Sequence, residues 1–250
     1  MAQLVIFDKD GVILDLQATW LPVARAVAEH TATLISGVGG VMPEVNKEDL
    51  LRAIGVDDQH GHIDPKGIFA TGSFAQMRAK WQAMMPPQLI DLEHDRAYRD
   101  AVQTIVHEQT RQTTEAKGDV VTPLHALYQN GYQLALVTND SESSARQSLH
   151  DLGIADLFCA IVGADSGFGA KPDPDGLLYC CDVAGVMPDR SIMVGDTIAD
   201  YGAALAAGCK AFVCIADAFD FRPHDDIQPE FVIPDLTELP GLLGVESSTY

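Results

Sequence analysis

Residues 4–11 read Leu-Val-Ile-Phe-Asp-Lys-Asp-Gly, an apolar run that ends abruptly in charged residues. A continuous apolar run is typical of a strand that is buried on both faces within a parallel sheet. In an open parallel sheet, ligands bind beyond the carboxyl ends of the strands. We therefore expect Asp8 and Asp10 to lie at a functional edge of the sheet.

Similar apolar runs recur in the second half of the chain, where they alternate with helical patterns. The runs cover residues 134–137, 160–162, 192–194 and 211–214. The helical stretches cover residues 123–130, 141–152, 175–184 and 198–207, and a glycine follows directly or closely after each. This alternation predicts an α/β fold with a Rossmann-like, mostly parallel sheet.

The segment 16–117 has a different pattern, with long helical stretches and no convincing buried strand. The helical stretches cover residues 20–34, 47–54, 73–85 and 91–110. Ser73 and Gln76 have the spacing of a capping box at the start of the third stretch. We interpret residues 16–117 as an inserted helical cap domain, and residues 1–15 and 118–250 as the Rossmann-like core domain.

Composition and charge restrict the class of partner. The 250 residues are 47% hydrophobic and 21% charged, as in ordinary globular proteins. The chain has 16 Lys and Arg against 36 Asp and Glu, so its net charge of −20 repels nucleic acid and anionic membranes. The five cysteines indicate reduced thiols, and no apolar run resembles a signal peptide or a membrane span. We expect a cytoplasmic protein with a small-molecule substrate, and make no prediction of its oligomeric state.

Polar residues also follow the later strands. Thr138 and Asn139 follow the run 134–137, Lys171 precedes a helix, and Asp196 and Asp200 follow the run 192–194. Each motif alone also fits a turn or a helix cap, and an isolated lysine is usually a surface residue. Their joint placement near strand ends predicts that carboxylates, a hydroxyl and an ammonium group converge.

Clustered carboxylates repel one another unless a cation or a shared proton offsets their charge. A cluster of Asp8, Asp10 and Asp196 therefore indicates a hard, oxygen-seeking ion, for which Mg²⁺ is the natural choice. With that charge offset, Asp8 can approach a phosphoryl group, while Lys171 and Thr138 bind its remaining oxygens. The residues thus favour a magnesium-dependent reaction on a phosphate ester.

Four ordered motifs resemble those of the haloacid dehalogenase-like hydrolase superfamily. They are residues 5–12 (VIFDKDGV), 136–139 (LVTN), 170–174 (AKPDP) and 193–200 (MVGDTIAD). The helical insertion falls where phosphoglycolate phosphatase-like members of that superfamily carry a cap. The resemblance implies a phosphatase in which Asp8 is the nucleophile of an aspartyl-phosphate mechanism and Asp10 is the general acid and base.

The resemblance also implies roles for the remaining motif residues. Thr138 and Lys171 would bind the phosphoryl group, assisted by the backbone N–H of Asn139. Mg²⁺ would be held by the carboxylates of Asp8 and Asp196 and by the backbone carbonyl of Asp10. Asp200 would lie nearby, as an anchor or as a ligand through water.

Two residues of the first motif depart from the pattern of the superfamily. Val12 stands where many members have threonine, and Lys9 is an unusual charged residue between the two aspartates. Because the side chains of adjacent residues diverge, we expect Lys9 to point away from the nucleophile.

Several alternatives stay open at this point. Dehalogenases and phosphonatases of the superfamily lack the second aspartate, so Asp10 argues against both activities. A phosphosugar mutase of the β-phosphoglucomutase type keeps both aspartates, and an inert binding protein could share the fold. Substrate selection is expected in the cap segment 61–73, where Lys66 could meet a substrate carboxylate or hydroxyl. A solvated lysine on an exposed turn fits Lys66 equally well.

Overall fold

The computed structural model describes residues 3–37, 45–64, 67–71, 74–85, 90–216 and 228–245. The chain divides into two compact units. The first unit contains residues 1–15 and 115–250, and the second contains residues 16–114.

The strands and helices of the described residues are named here in chain order. The strands are β1 (Leu4–Phe7), β2 (Val56–Asp57), β3 (His62–Ile63), β4 (Gln133–Val137), β5 (Phe158–Val162), β6 (Ser191–Gly195), β7 (Ala211–Ile215) and β8 (Phe231–Ile233). The helices are α1 (Leu16–Gly37), α2 (Lys47–Ala53), α3 (Ile68–Thr71), α4 (Phe74–Gln82), α5 (Arg96–Thr113), α6 (Val121–Gln129), α7 (Glu142–Asp151), α8 (Asp175–Ala184), α9 (Ile198–Ala207) and α10 (Leu239–Leu242). Short 3-10 helices cover Ala155–Leu157, Pro188–Arg190 and Leu236–Glu238.

The first unit is built on a parallel sheet with the strand order β5-β4-β1-β6-β7-β8. Every neighbouring pair in this sheet is parallel. β1 lies between β4 and β6, and Phe7 is in register with Leu136 on one side and with Val194 on the other. The predicted α/β fold with a parallel sheet is therefore confirmed, and the carboxyl ends of three strands meet beside β1.

The apolar run of β1 is continuous because both faces of the sheet are covered. Val5 and Phe7 belong to the apolar cluster on one face, and Leu4 and Ile6 belong to the cluster on the other face. Successive side chains of a strand point to opposite faces, so each of the four residues meets a buried layer. Val12 is also buried, within the same cluster as Val5 and Phe7.

β8 is an edge strand that the sequence pattern does not predict. It pairs with β7 alone, and two of its three residues, Phe231 and Val232, are exposed. Three residues are too few to establish a period, and a strand exposed in this way need not resemble the buried strands.

The second unit is mainly helical and has its own apolar core. α1 packs against α5 and α2, and Trp81 of α4 is fully buried, where its indole N–H donates to the Leu50 carbonyl at 2.8 Å. The sequence did not predict the antiparallel hairpin of β2 and β3, in which one residue of each strand, Val56 and Ile63, is buried. Strands of two residues are too short to leave a sequence period.

The helix predicted from residue 91 begins later than expected. α5 starts at Arg96, with the Asp95 carboxylate accepting from the backbone N–H groups of Ala97 and Tyr98. Upstream, Asp91 accepts from the backbone N–H of His94 at 2.9 Å and forms a turn. Aspartate favours such local bonds over the helix interior. The Ser73 side of the predicted capping box lies outside the described residues.

Across the described ranges, no helix combines the length and the apolar character needed to traverse a bilayer.

Candidate active site

The ends of β1, β4 and β6 bring the polar residues of the first unit together. Asp8 follows β1 directly, and its backbone N–H donates to the Val194 carbonyl at 2.9 Å. Thr138 follows β4, and its N–H donates to the Val162 carbonyl at 2.9 Å. These bonds continue the parallel ladders one residue beyond each strand, which fixes the backbone from which the side chains project.

Lys171 lies between two buried carboxylates. Its Nζ is 2.5 Å from Asp8 Oδ1 and 2.6 Å from Asp200 Oδ1. All three residues are buried. Burial by itself lowers the pKa of the Lys171 amine, but the carboxylates of Asp200 and Asp8 raise it above its usual value. Lys171 is therefore a charged ammonium group held directly against Asp8.

The side chain of Asn139 fixes the backbone of Lys171. Asn139 Nδ2 donates to the Lys171 carbonyl at 3.0 Å, and the Lys171 N–H donates to Asn139 Oδ1 at 2.7 Å. The two bonds join the end of β4 to the loop before α8. The Asn139 side chain therefore holds the backbone of Lys171, whereas the family resemblance implies a role only for the Asn139 backbone N–H.

Asp200 organises the turn between β6 and α9. Its Oδ2 accepts from the backbone N–H groups of Asp196 at 3.2 Å and Thr197 at 3.0 Å, and from the Thr197 hydroxyl at 2.6 Å. Thr197 is the N-cap of α9, and the two residues form a capping box. Because its other oxygen contacts Lys171, Asp200 orients both the Asp196 turn and the ammonium group.

Asp8, Asp196 and Asp200 form an acidic group in which one carboxylate oxygen of each residue lies within 4.8 Å of the other two. Burial raises the pKa of Asp8 to about 7, against the effect of Lys171, and the charges of Asp200 and Asp10 contribute in the same direction. The pKa of Asp196 is also raised well above its usual value, first by burial and then by Asp200 and Asp8. Burial and the neighbouring carboxylates thus disfavour the charged forms of Asp8 and Asp196 where no cation is bound.

This group fits a divalent cation that binds oxygen. Asp196 Oδ1 is buried and has no hydrogen-bond partner among the residues that the structure describes. The backbone of Gly11, at φ +84°, passes so close that a Cβ there would lie 2.0 Å from Asp196 Oδ2. A buried carboxylate oxygen without a donor needs a cation or a proton, and hard cations prefer such oxygens.

Lys9 is 1% exposed and contacts two further carboxylates. Its Nζ makes a short ion pair with Asp140 Oδ2 and lies 3.4 Å from Asp10 Oδ2. Burial lowers the pKa of the Lys9 amine, but Asp10 and then Asp140 raise it above its usual value. Asp140 was not among the predicted site residues. The signal for it in the sequence is its place directly after Thr138 and Asn139, which follow β4, the strand beside β1.

The other predicted residues are placed as follows. The Thr138 side chain is buried, and its Oγ1 accepts from the Asp140 N–H at 3.1 Å. The Asp10 carboxylate lies by Lys9 and is not one of the three acidic side chains above. Lys66 lies outside the described residues. Lys117, which the motifs do not indicate, donates from Nζ to the Gly11 carbonyl at 2.7 Å.

Residues 5–214 match the family model described as Haloacid dehalogenase-like hydrolase. The chain belongs to this family. The match spans β1 to β7 and includes every motif residue of the site. The expected relationship to haloacid dehalogenase-like hydrolases is therefore confirmed, and the protein is a hydrolase of this family.

A curated relative covers almost the whole chain. Phosphoglycolate phosphatase of Chromobacterium violaceum is 30% identical over 96% of this chain and 95% of its own length. The prediction of a phosphatase-type haloacid dehalogenase-like hydrolase is supported by this relationship, since a phosphoglycolate phosphatase is a phosphoric monoester hydrolase.

Solved structures of haloacid dehalogenase-like proteins share the fold. A predicted phosphoglycolate phosphatase from Haemophilus somnus has a TM-score of 0.71 at 22% identity and covers 97% of this chain and 98% of its own. A 2-haloacid dehalogenase from Pseudomonas syringae has a TM-score of 0.63, also at 22% identity, over 98% and 99% of the two chains. Because both resemblances hold, the fold by itself does not distinguish the two chemistries.

Proposed function

We propose that the protein is a Mg²⁺-dependent phosphatase that hydrolyses a small-molecule phosphate monoester through an aspartyl phosphate on Asp8. The observation that carries this proposal is the Lys171 ammonium held 2.5 Å from Asp8 Oδ1, beside the acidic group that includes the unpartnered Asp196 Oδ1. A cation and a carboxylate in direct contact at the end of a buried strand suit nucleophilic attack on an anionic phosphoryl group.

In the first step, a carboxylate oxygen of Asp8 forms a bond to phosphorus while the bond from phosphorus to the ester oxygen breaks. Lys171 and the Thr138 hydroxyl bind phosphoryl oxygens and offset their negative charge. Asp10 gives its proton to the departing oxygen, which leaves as an alcohol.

In the second step, water attacks the phosphorus of the aspartyl phosphate. Asp10, now a carboxylate, takes a proton from that water, and the Asp8 carboxylate is released with inorganic phosphate. The proton that Asp10 lost in the first step is thus returned in the second.

The carboxylates of Asp8 and Asp196 and the backbone carbonyl of Asp10 would hold Mg²⁺, with Asp200 fixing the turn that carries Asp196. When bound, the ion supplies positive charge that lets the anionic ester approach Asp8. The unpartnered oxygen of Asp196 and the close approach of Gly11 support this assignment.

For the substrate we propose a small phosphorylated acid, with 2-phosphoglycolate as the first candidate. The name of the Chromobacterium violaceum relative supports this choice. We further propose that residues 16–114 act as the cap that selects the substrate, with Lys66 as the candidate contact from the sequence. The roles proposed above for the residues of the first unit concern the phosphoryl group, the ester oxygen and the ion, and none of these differs between the candidate substrates.

The test is a phosphate-release screen over 2-phosphoglycolate, sugar phosphates, nucleoside monophosphates and p-nitrophenyl phosphate, with Mg²⁺ or with a chelator. We expect release that requires Mg²⁺ and that falls to background in Asp8→Asn. Asp189→Asn is the matched control, since this exposed aspartate lies before β6, at the opposite edge of the sheet.

Two results would contradict the mechanism: release that persists in the chelator, or full activity in Asp8→Asn. Conversion of a phosphosugar into its isomer without free phosphate would identify a mutase instead. Inactivity on every phosphate ester, with a folded protein, would favour an inert binding protein.

A further inference from the structure

We propose that Lys9 is a positioning residue that ties the Asp10 carboxylate to Asp140 and so aims the general acid at the leaving oxygen. This inference rests on the proposed function, because it takes Asp10 as the proton donor. It concerns a residue that departs from the family motif and that the mechanism above does not use.

The geometry places Lys9 between two neighbouring strand ends. Lys9 follows β1 and Asp140 follows β4, and these strands are paired in parallel. Lys9 Nζ pairs with Asp140 Oδ2 on one side and lies 3.4 Å from Asp10 Oδ2 on the other. Because its side chain is 1% exposed, the ammonium group is confined between the two carboxylates.

Asp140 is itself held by three hydrogen bonds. Its N–H donates to Thr138 Oγ1 at 3.1 Å, its Oδ1 accepts from the Ser141 N–H at 2.7 Å, and its carbonyl accepts from the Ala164 N–H at 2.9 Å. A carboxylate with a fixed backbone and one fixed oxygen is a rigid anchor. Lys9 therefore connects Asp10 to a rigid point on the loop that carries Thr138.

A purely structural reason for Lys9 is weak. Replacing a buried ion pair by apolar residues of similar volume is often neutral or stabilising, so a lysine is not needed to pack this site. In contrast, an ammonium group that lies 3.4 Å from Asp10 Oδ2 and is paired with the anchored Asp140 fixes the direction of the Asp10 carboxyl group in both steps. A proton donor or acceptor held in the productive orientation lowers the barrier more than one that must first be oriented.

Lys9→Met tests this role, because it keeps the length of the side chain and removes the charge. Protonation matters for a poor leaving group and little for a good one. We expect kcat/KM to fall about 10- to 100-fold for the best alkyl phosphate found in the screen, and less than about 3-fold for p-nitrophenyl phosphate. With p-nitrophenyl phosphate, slower hydrolysis of the aspartyl phosphate should lower kcat and KM together and produce an initial burst of nitrophenolate.

Asp140→Asn is the second variant, since it keeps an oxygen that can accept from the Ser141 N–H and weakens the pairing with Lys9. It should show the same dependence on the leaving group. In the double variant, the loss of transition-state stabilisation calculated from kcat/KM should be smaller than the sum of the losses in the two single variants. Lys210→Met is the matched control. Lys210 is exposed and directly precedes β7, at the amino ends of the strands and away from the site. Its replacement should therefore leave kcat/KM unchanged for both substrates.

Equal losses on both substrates in Lys9→Met and Asp140→Asn would show a structural role and overturn the proposal, as would unchanged activity in both. Asp10→Asn separates this outcome from failure of the proposed function. If Asp10→Asn shows the leaving-group dependence and the two other variants do not, only the role of Lys9 is wrong. If Asp8→Asn stays active, the phosphatase mechanism itself is wrong.

Discussion

Gly11 and Gly131 have the same backbone φ, but the space around Gly11 is filled and the space around Gly131 is open. Both have φ +84°, but a Cβ on Gly11 would lie 2.0 Å from Asp196 Oδ2, whereas one on Gly131 would meet nothing within 4 Å. A side chain at this φ costs on the order of 1 kcal/mol in either place. Only at Gly11 must the carboxylate of the candidate metal site also move.

We therefore predict that Gly11→Ala abolishes Mg²⁺-dependent phosphate release, whereas Gly131→Ala keeps it. Both variants should lower the melting temperature, and Gly11→Ala should lower it more. The measurements are phosphate release against Mg²⁺ concentration and thermal unfolding of each variant. Wild-type activity in Gly11→Ala would show that the position of the Asp196 carboxylate is not critical.

Asp58 connects three elements of the second unit. It lies in the turn between β2 and β3, accepts a short charged hydrogen bond from Arg25 of α1, and lies 3.4 Å from Lys47 at the start of α2. Its pKa is lowered, first by the Arg25 hydrogen bond. A carboxylate with a lowered folded-state pKa stabilises the protein above its unfolded-state pKa, and this stabilisation is lost as pH falls through the folded-state value.

We predict that Asp58→Asn lowers the melting temperature at pH 7. Because the ion pair of Asp58 with Arg25 is partly exposed, the free energy of unfolding should fall by no more than about 1 kcal/mol. The difference from wild type should shrink as pH falls below about 4, where the wild-type carboxylate also becomes protonated. Asp100→Asn removes an exposed ion pair with Arg96 and should change little at either pH. If the melting temperature of Asp58→Asn stays below that of the wild type by the same amount across this pH range, the difference does not depend on ionisation of Asp58.

At the scale of the whole molecule, the buried acidic group of the site is a cost to stability, because burial and mutual repulsion disfavour its charged form. Asp8, Asp196 and Asp200 repel one another, and Lys171 offsets only part of their charge. A bound cation should therefore stabilise the folded protein by mass action, by about 2.7 kcal/mol at 100 times its dissociation constant.

We predict that Mg²⁺ raises the melting temperature of the wild type and does not raise that of Asp196→Asn. In a chelator, Asp196→Asn should be at least as stable as the wild type, because one of the repelling charges has been removed. Thermal unfolding with Mg²⁺ and with the chelator measures both effects, and Asp189→Asn should behave as the wild type. If Mg²⁺ raises the melting temperature of Asp196→Asn as much as that of the wild type, the ion does not bind at Asp196.

The sequence predicted the elements whose patterns are local and long enough to read. The apolar runs identify β1, β4, β5, β6 and β7, because strands buried on both faces must be apolar throughout. The same reasoning fails for the hairpin of β2 and β3 and for β8, which are too short to show a period. It also misplaces the start of α5, where Asp91 and Asp95 form local hydrogen bonds that compete with the helix.

By itself the sequence determined which chemical groups this protein has near its strand ends, Asp8, Asp10, Thr138 and Asp196, and in the loop before α8, Lys171. Motif order and the alternation of strands with helices suffice for that, since each strand end is marked locally. Only the tertiary structure decided which of these groups contact one another.

The pairs of Lys9 with Asp140, Lys117 with Gly11 and Asn139 with Lys171 join residues 131, 106 and 32 positions apart. These contacts depend on which strands are neighbours in the sheet and on the direction of each side chain. A periodic sequence pattern indicates which residues of one element are buried. It does not indicate which strands are neighbours in the sheet or which residue each side chain contacts.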